Sequence, residues 1–314
     1  NPINRRGTNP FDDAKLFIKY YKIIKEISPD VILTFSIKPN IYGTYVASIL
    51  KIPVIMNITG MGSAMITITY LKNLVKQMYR WACRKAQIIF FENEFNRDYF
   101  TKNNMVSVQK TILVPGAGVN ISKFTPIKKT NNDNIIRFLF IGRIMKEKGI
   151  DEYLEAAERI TKKFINVEFQ ILGRFEEQRY KKVILYNKNN RIRYLGISDD
   201  VRNEIKEVDC IVHPSYHEGM SNVLLEGAAM GKPLIASDIP GCKEIVEDGY
   251  NGYLFKVKSV KSLEKKLVQF INLDDSTREL MGENSRNKVV KEFDRKIVVD
   301  EYMRAINAVI KEGC

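Results

Sequence analysis

Two glutamates stand eight positions apart in HPSYHEGMSNVLLEGAAMGKPLIAS, residues 213–237. Glu218 precedes a pattern that is typical of a helix, and Glu226 lies one turn inside that pattern. A carboxylate accepts two hydrogen bonds at once, which suits the adjacent hydroxyl groups of a sugar or a ribose. The alternative is a pair of surface acids in the first turns of a helix, where the helix dipole favours them. Neighbouring residues have to decide between the two.

A second stretch, FIGRIMKEKGIDEYLEAA (residues 140–157), supplies positive charge. A strand pattern ends at Gly142, and a helix pattern follows the loop after it. Arg143 offers a planar fork that suits phosphate oxygens, and Lys148 offers a compact point charge. A solvated basic loop would contain the same residues, so this stretch indicates a binding site only when it is considered together with the two glutamates. Together the two stretches favour a site for a diphosphate that is flanked by sugar hydroxyls.

Both stretches belong to an alternation of strands and helices, which is typical of a parallel α/β sheet. Ligands of such open sheets bind in a crevice beyond the carboxyl ends of the strands. Both loops are therefore expected at the mouth of this crevice. The helix after Glu218 has Ser221 as its N-cap and ends at Gly231 before Pro233. Its amino end would direct N–H groups into the mouth as an anion site. The combination predicts a pyrophosphate site that needs no metal ion.

The candidate strands divide the chain into two domains. We assign residues 1–121 to the first domain, 122–134 to a polar, Asn-rich linker and 135–294 to the second domain. Four strand candidates precede the linker and six follow it, at residues 30–35, 53–58, 87–92, 111–115, 135–142, 166–173, 191–196, 209–214, 233–237 and 252–255. Doubly wound domains are normally of similar size, and the sequence does not begin with Met. We therefore expect the first domain to be truncated by one or two βα units.

The net charge of +13 is concentrated in the first part of the chain. Residues 1–125 carry 17 Lys and Arg against 7 Asp and Glu, which accounts for +10 of it. This asymmetry predicts an anionic partner: nucleic acid, an anionic membrane surface or a phosphate-bearing substrate. No helix-turn-helix, RNP or zinc signature supports nucleic acid. The four cysteines are widely spaced, which favours free thiols in a cytosolic compartment over a disulfide framework.

A basic amphipathic pattern occupies YLKNLVKQMYRWACRKAQ, residues 70–87. Its basic residues recur every fourth position, and apolar residues lie between them: Lys72, Lys76, Arg80 and Arg84, with Leu71, Leu74, Val75, Met78 and Trp81. Such a helix can lie on anionic lipid, where each basic residue contributes about 1 kcal/mol. The alternative is an ordinary helix of the sheet layer with a solvated outer face. No run approaches the ~18 apolar residues that a membrane span requires.

These motifs carry a family resemblance. HEGMSNVLLE resembles the E-x7-E motif of retaining glycosyltransferases, and GRIMKEKG resembles their phosphate-binding Arg/Lys loop. From about residue 10 onward the chain is similar to glycosyltransferase family 4. That resemblance implies the GT-B architecture, in which two Rossmann-like doubly wound domains face each other across a cleft. It also implies that the last helix, residues 295–314, packs back on the first domain.

Four further segments narrow the resemblance: NPFDDAKLF, LTFSIKPNIYG, NITGMGSA and VPGAGVNISKF. They resemble bacterial enzymes that extend polyprenyl-diphosphate-linked sugars, typically with an N-acetylhexosamine, in capsule, O-antigen or protein-glycan assembly. The resemblance implies a UDP-sugar donor, a lipid-diphosphate-linked saccharide acceptor, retention at the anomeric carbon and no cofactor or metal. It implies an enzyme in the cytoplasm, attached peripherally to the anionic inner membrane through residues 70–87, with no nucleic acid as partner.

The resemblance assigns roles residue by residue. Arg143 and Lys148 would neutralise the leaving diphosphate, Glu218 would hold the donor sugar and Glu226 would bind the ribose. Further donor contacts would come from the Gly142 turn, from the amides of the loop after Glu218 and from the base pocket: Gly142, Gly219, Met220, Ser221, Arg193, Leu195 and Gly196. On the acceptor side, weaker signals indicate Lys38, Thr59, Gly60 and Gly62.

One departure concerns histidine. Many family members have a histidine near the strand end that NITGMG occupies here, whereas this chain has Thr59 and no histidine before His213. We interpret His213 as a structural or pocket-wall residue and assign no role to His217. A UDP-sugar 2-epimerase of the same architecture is the first alternative, although it needs acid–base side chains that a histidine-free first domain does not offer. A basic non-enzymatic nucleic-acid binder is the second, and an inactive fragment that binds UDP without transfer is the third.

Overall fold

The computed structural model describes residues 10–60, 69–130 and 133–313. The chain forms two compact units, one of Asn1–Gly116 with Val298–Cys314 and the other of Ala117–Ile297. Each unit is built on a parallel sheet with helices between the strands. The predicted α/β class is confirmed, and every predicted strand position contains a strand.

The first unit has a four-stranded sheet in the order β1-β2-β3-β4, with every neighbouring pair parallel. Its strands are β1 (Ile32–Phe35), β2 (Val54–Ile58), β3 (Ile88–Phe91) and β4 (Thr111–Leu113). The intervening helices are α1 (Pro10–Ile27), α2 (Thr44–Ile49), α3 (Thr69–Lys85) and α4 (Glu94–Lys102). All five residues of β2 are buried, as expected for a central strand of a parallel sheet that is covered on both faces.

Different helices cover the two faces of this sheet. On one face, Met56 and Ile89 pack against α3, which contributes Val75 and Tyr79. On the other face lies the last helix of the chain, whose apolar residues Val298, Ala305 and Val309 contact Ile55, Phe90 and Val114. Alternate residues along each strand therefore meet different helices, which is the period that strand geometry dictates.

Helix α3 contains the basic amphipathic pattern. Val75, Met78 and Trp81 belong to the core of the first unit, and the Trp81 ring stacks on Tyr45 with centroids 3.6 Å apart. Leu74 is 52% exposed. The side chains of Leu71 and Lys72 lie outside the described residues. Much of the apolar face that was predicted to contact lipid therefore packs within the first unit instead.

Two of the basic residues on α3 bond the end of α4. Lys76 Nζ donates to Asn103 Oδ1 at 2.6 Å, and Arg80 donates to the carbonyl oxygens of Asn103 at 3.1 Å and Asn104 at 3.3 Å. Arg80 thus meets backbone carbonyls at a helix end and Lys76 meets a side-chain oxygen there, which is a structural use of both charges. Arg84 remains exposed.

The second unit has a six-stranded parallel sheet in the order β10-β9-β8-β5-β6-β7. Its strands are β5 (Ile136–Ile141), β6 (Val167–Leu172), β7 (Ile192–Gly196), β8 (Cys210–His213), β9 (Leu234–Ser237) and β10 (Gly252–Phe255). Its helices are α5 (Ile150–Lys163), α6 (Arg179–Leu185), α7 (Arg202–Lys206), α8 (Asn222–Ala229), α9 (Val260–Ile271) and α10 (Asp275–Glu292). The last helix, α11 (Arg295–Gly313), begins in this unit and continues into the first.

The strand order places a topological switch between β5 and β8. From β5 the chain winds through β6 to β7 on one side, and from β8 it winds through β9 to β10 on the other. Helix α5, which follows β5, packs in one core layer with α9, whereas α8, which follows β8, packs in the other with α10. The helices that follow β5 and β8 therefore lie in different layers, and a ligand is expected at the carboxyl edge between these two strands.

Within the described residues, no helix has both the length and the apolar character needed to cross a membrane.

Candidate active site

Three glycines bring the loops of the second unit together at the switch point. A Cβ on Gly173, which follows β6, would lie 1.8 Å from the carbonyl oxygen of Gly142, which follows β5. A Cβ on Gly149 would lie 2.0 Å from the carbonyl oxygen of Pro214, which follows β8. Gly149 also has a φ of +74°, a conformation that glycine adopts without strain. Only a residue without a side chain lets the loop after β5 touch the loop after β8 in this way.

The contact between these loops brings Lys148 to Glu218. The Tyr216 N–H donates to the carbonyl oxygen of Glu147 at 2.9 Å, which ties the two backbones together. Lys148, the next residue, places its Nζ 2.5 Å from Glu218 Oε1. Two of the predicted residues, 70 positions apart in the chain, thus form a charge-assisted hydrogen bond.

His213 is the third member of this cluster. Its Nε2 lies 2.8 Å from the same Glu218 Oε1. The ring is 3% exposed, and its Nδ1 has no hydrogen-bond partner among the described residues. This burial is consistent with the predicted structural or pocket-wall residue, and the imidazole also contacts the carboxylate that is expected to hold the sugar.

The cluster keeps Glu218 ionised although the carboxylate is largely buried. Burial raises the pKa of Glu218, but the hydrogen bond and charge of His213 and the charge and hydrogen bond of Lys148 outweigh it and lower the pKa to about 2. A charged carboxylate that meets Lys148 and His213 through one oxygen can still accept hydrogen bonds from hydroxyl groups.

Helix α8 begins directly after this loop and is capped by Ser221. The Ser221 Oγ accepts from the Leu224 N–H at 3.3 Å, as predicted for the N-cap. The Ser221 N–H donates to the carbonyl oxygen of Gly241 at 3.0 Å. Ser221 thus serves as a cap, and its amide is engaged within the protein rather than presented to a donor sugar as the sequence suggested. Gly219 and Met220 lie between this cap and Glu218.

Glu226 lies on α8 and is partly buried. Burial raises its pKa, against the lowering effect of the charges on Lys123 and Arg295. Among the described residues, none forms a hydrogen bond with this carboxylate. A partly buried acceptor without a donor is suited to a pair of ligand hydroxyls.

Arg143 pairs with an acid that is not a member of the cluster. Its side chain is 43% exposed, and its Nη1 is 3.6 Å from Glu176 Oε1 in the loop after β6. Exposed pairs of this kind contribute little to stability, so the guanidinium can exchange partners at small cost. The structure thus brings Lys148 to Glu218 but leaves Arg143 with an acid of its own.

The predicted base pocket follows β7. Arg193 is 57% exposed at its side chain and pairs with Glu168 at 3.5 Å, so it contacts the neighbouring strand β6. Leu195 packs partly into the core beside α8. Gly196 has a φ of +88°, and its carbonyl oxygen accepts from the Gly173 N–H at 2.8 Å. The polar groups of this segment are therefore largely engaged in holding β6 and β7 together.

The acceptor-side residues lie in the first unit. Lys38 follows β1 and forms an ion pair of 2.8 Å with Asp13 on α1, so its charge already has a counter-ion. Thr59 and Gly60 follow β2 and are partly exposed. Gly62 lies outside the described residues.

Sequence reasoning missed a buried carboxyl in the first unit. Glu92 follows β3 and is 8% exposed. Burial raises its pKa to about 7, against a lowering hydrogen bond from Asn57 Nδ2 at 3.4 Å. Among the described residues, Asn57 Oδ1 and the Tyr302 hydroxyl have no hydrogen-bond partner. The run FFENE offers no periodic signal that would separate Glu92 from the exposed Glu94.

Two family models match the chain. The model described as Glycosyl transferases group 1 matches residues 122–288, and the one described as Glycosyl transferase 4-like matches residues 2–93. The first therefore covers all of the predicted donor-side residues of the second unit.

Two relatives illustrate the sequence similarity. The chain is 28% identical to the N,N'-diacetylbacillosaminyl-diphospho-undecaprenol alpha-1,3-N-acetylgalactosaminyltransferase of Campylobacter jejuni, over 98% of this chain and 85% of the relative. It is 29% identical to the UDP-Gal:alpha-D-GlcNAc-diphosphoundecaprenol alpha-1,3-galactosyltransferase of Escherichia coli, over 93% of this chain and 79% of the relative.

Solved structures show the same fold. Anabaena HepE in complex with UDP superposes with a TM-score of 0.79 at 19% identity, covering 95% of this chain and 82% of that one. A glycosyltransferase from Rickettsia africae gives a TM-score of 0.79 at 19% identity, covering 99% and 85%. The resemblance predicted from the two motifs is confirmed. Since the first family model matches more than half of its residues, the chain belongs to the group 1 glycosyl transferases.

Proposed function

We propose that this glycosyltransferase moves a sugar from a UDP-sugar to a saccharide linked to polyprenyl diphosphate, with retention at the anomeric carbon. Both relatives described above are named for diphosphate-linked undecaprenol saccharides and for alpha linkages. One is named for UDP-Gal and the other for transfer of N-acetylgalactosamine. These names support an undecaprenol-type acceptor, and we expect an N-acetylhexosamine as the transferred sugar.

The convergence of Lys148 and His213 on Glu218, beside the amino end of α8, is the observation that carries the proposal. An ionised carboxylate next to a cation and a helix amino end offers hydroxyl acceptors and anion donors side by side. In this assignment Glu218 holds the donor sugar, and the diphosphate lies against Lys148 and α8. Glu226, which has a carboxylate without a hydrogen bond in the described structure, takes the ribose.

The protein would accelerate transfer by stabilising the departing UDP. As the bond to the sugar breaks, negative charge develops on the diphosphate. The amino end of a helix carries about half an elementary charge, and Lys148 and Arg143 each add a full one. Removing one preorganised donor of this kind typically costs about 10²–10³ in turnover. We propose that these groups supply the positive charge, so that the reaction needs no metal ion.

We also propose that the enzyme works at an anionic membrane surface on the cytoplasmic side of the inner membrane. A polyprenyl acceptor would be anchored there, and the basic first unit would be attracted to it. Arg84 and Lys85 are exposed at the end of α3, and each basic residue near such a surface contributes about 1 kcal/mol. Because Lys76 and Arg80 bond the end of α4, we expect weak and salt-sensitive attachment.

A panel of UDP-sugars tests the donor proposal. Binding is measured by calorimetry with the parent protein, with Glu226→Ala and with Glu264→Gln as a control. Glu264 lies on α9 and pairs with Arg159 and Lys163, away from the predicted residues. We expect the parent and the control to bind UDP and Glu226→Ala to lose most of this affinity. A parent that binds none of the nucleotides would contradict the proposal.

Transfer is then measured with short-chain polyprenyl-diphosphate saccharides, and the anomeric configuration of the product is read by NMR. An arm without acceptor shows whether the protein converts the UDP-sugar itself, which would favour an epimerase. An inverted product would refute retention while leaving the transferase assignment intact.

A further inference from the structure

A tyrosine and a buried glutamate join the two loops of the candidate site. The Tyr216 hydroxyl lies 2.7 Å and 2.9 Å from the two carboxylate oxygens of Glu152. Tyr216 is 7% exposed and Glu152 is 8% exposed. Glu152 lies in the first turn of α5, where the helix dipole favours its negative charge. The ammonium group of Lys258 lies 4.8 Å from the centroid of the Tyr216 ring.

This pair adjoins the residues that are expected to hold the donor. Tyr216 lies two positions before Glu218, and its N–H donates to the carbonyl oxygen of Glu147, the residue before Lys148. The backbone and the side chain of Tyr216 therefore both attach to the segment that begins at β5. Burial raises the pKa of the Tyr216 hydroxyl, and the hydrogen bond and charge of Glu152 raise it further, so the hydroxyl remains a donor.

We propose that Tyr216 and Glu152 are positioning residues, which hold the loop after β8 against the loop after β5 and so fix the placement of Lys148 relative to Glu218. The inference rests on the proposed function, because that placement matters only if a nucleotide sugar is held there. Without the hydroxyl, the bond from the Tyr216 N–H to Glu147 would be the one hydrogen bond that the described structure leaves between these two segments, apart from that of Lys148 with Glu218. A displacement of about 1 Å at a reacting centre can cost about 10² in rate.

Glu218 has other neighbours that remain in place when this pair is broken. His213 holds it from β8, and Cys242 and Gly241 pack near it from the turn after β9. Loss of the pair should therefore shift the Lys148 side of the cluster rather than unfold the site. The expected effect falls on turnover and leaves ribose binding at Glu226 largely unchanged.

The chain provides a matched control on the same helix turn. The Tyr180 hydroxyl donates to Asp151 Oδ2 at 2.9 Å, and Tyr180 is 3% exposed. This bond also joins a buried tyrosine to a carboxylate of α5, although the Asp151 side chain is 47% exposed. It connects α5 to α6 and does not reach the loop that carries Glu218. Tyr180→Phe therefore measures the structural cost of losing a tyrosine–carboxylate bond at the first turn of α5.

The test compares kcat for sugar transfer with the Kd and stoichiometry of UDP binding. For Tyr216→Phe, which keeps the ring and its contact with Lys258, we expect kcat to fall about 10- to 100-fold. UDP should still bind with a stoichiometry near that of the parent and a Kd within about threefold of it. Tyr180→Phe should stay within about threefold of the parent in both quantities. Because the stoichiometry counts folded protein, partial unfolding cannot imitate this result.

Substitution of Glu152, the other member of the pair, tests the inference independently. Glu152→Gln keeps a hydrogen-bond acceptor for Tyr216, so its kcat should stay within about threefold of the parent value. Glu152→Ala removes the acceptor, so its kcat should fall by as much as that of Tyr216→Phe. This comparison decides the matter if Tyr216→Phe does not fold. Equal kcat for Tyr216→Phe and Tyr180→Phe, or for the two Glu152 variants, would overturn the inference. A parent protein that fails to bind UDP would instead refute the proposed function, and that failure is visible before any variant is made.

Discussion

Glu92→Gln should stabilise the first unit, and the gain should grow with pH. Glu92 is buried after β3, and its pKa in the folded protein is about 7, against an ordinary value of 4.5. As pH rises through 4.5 the unfolded chain releases this proton, while the folded chain keeps it until about pH 7. Folding is therefore progressively less favourable across this window, because the unfolded state binds fewer protons than the folded state.

The magnitude follows from the difference between the two pKa values. Each pKa unit corresponds to about 1.4 kcal/mol, so the carboxylate costs about 3 kcal/mol of stability at pH 8 and about 1 kcal/mol at pH 5. Glutamine cannot ionise, and its carbonyl oxygen can still accept the hydrogen bond from Asn57 Nδ2. We therefore expect the Glu92→Gln protein to exceed the parent by about 3 kcal/mol at pH 8 and by about 1 kcal/mol at pH 5.

The assay is urea denaturation followed by tryptophan fluorescence at pH 5 and pH 8. The chain has one tryptophan, Trp81, which stacks on Tyr45 in the core of the first unit, so the signal reports the unit that contains Glu92. Glu94→Gln is the matched control, since the Glu94 side chain is 73% exposed and pairs with Arg97 at 3.6 Å. A gain that is equal at the two pH values, or a loss at pH 8, would refute the burial argument.

Three further predictions concern the second unit. Lys148→Ala should lower turnover at saturating donor by about 10²–10³, and Lys146→Ala, which removes an exposed neighbour, should not; near-normal turnover for Lys148→Ala would refute its assignment. The pKa of Glu218 is lowered to about 2 in the folded protein, so its stabilising contribution is present above its ordinary value of 4.5 and is lost as pH falls towards 2. Glu218→Gln should therefore lower the melting temperature at pH 7 but much less near pH 3, as followed by circular dichroism. Gly249→Ala should destabilise the fold by about 1–2 kcal/mol, because Gly249 has a positive φ. Gly149→Ala should destabilise it by more, because Gly149 also has a positive φ and its added Cβ would lie 2.0 Å from a carbonyl oxygen. Equal melting temperatures for the two variants would contradict this prediction.

The architecture of both sheets was predictable because short apolar runs and the breaks between them report strands directly. The meeting of Lys148 with Glu218 was also predictable in outline. Strand-end loops of a parallel sheet share one edge, and these two residues follow the strands on either side of the switch point.

The finer arrangement was not predictable, because it depends on how loops pack. Glu152 and Tyr216 are 64 positions apart, and no spacing rule connects them. Their contact also depends on the close approach of the two loops at Gly149, and no sequence pattern indicates this approach. The same holds for Arg143, which pairs with Glu176, and for Ser221, whose amide is taken by a turn that the sequence pattern does not place beside it.

The shared oxygen of Glu218 means that the protein supplies its own counter-ion to Lys148. Lys148 and His213 both meet Oε1, so an arriving anion competes with an internal counter-ion for the lysine. Small anions such as inorganic pyrophosphate have no sugar hydroxyl groups that could replace the hydrogen bond from Lys148 to the Glu218 carboxylate. In the proposed assignment a complete UDP-sugar would replace it, since its hydroxyl groups would hydrogen-bond the Glu218 carboxylate while its diphosphate meets the Lys148 ammonium group. We therefore expect selectivity for the intact nucleotide sugar to be built into the resting protein, measurable as weak competition by pyrophosphate.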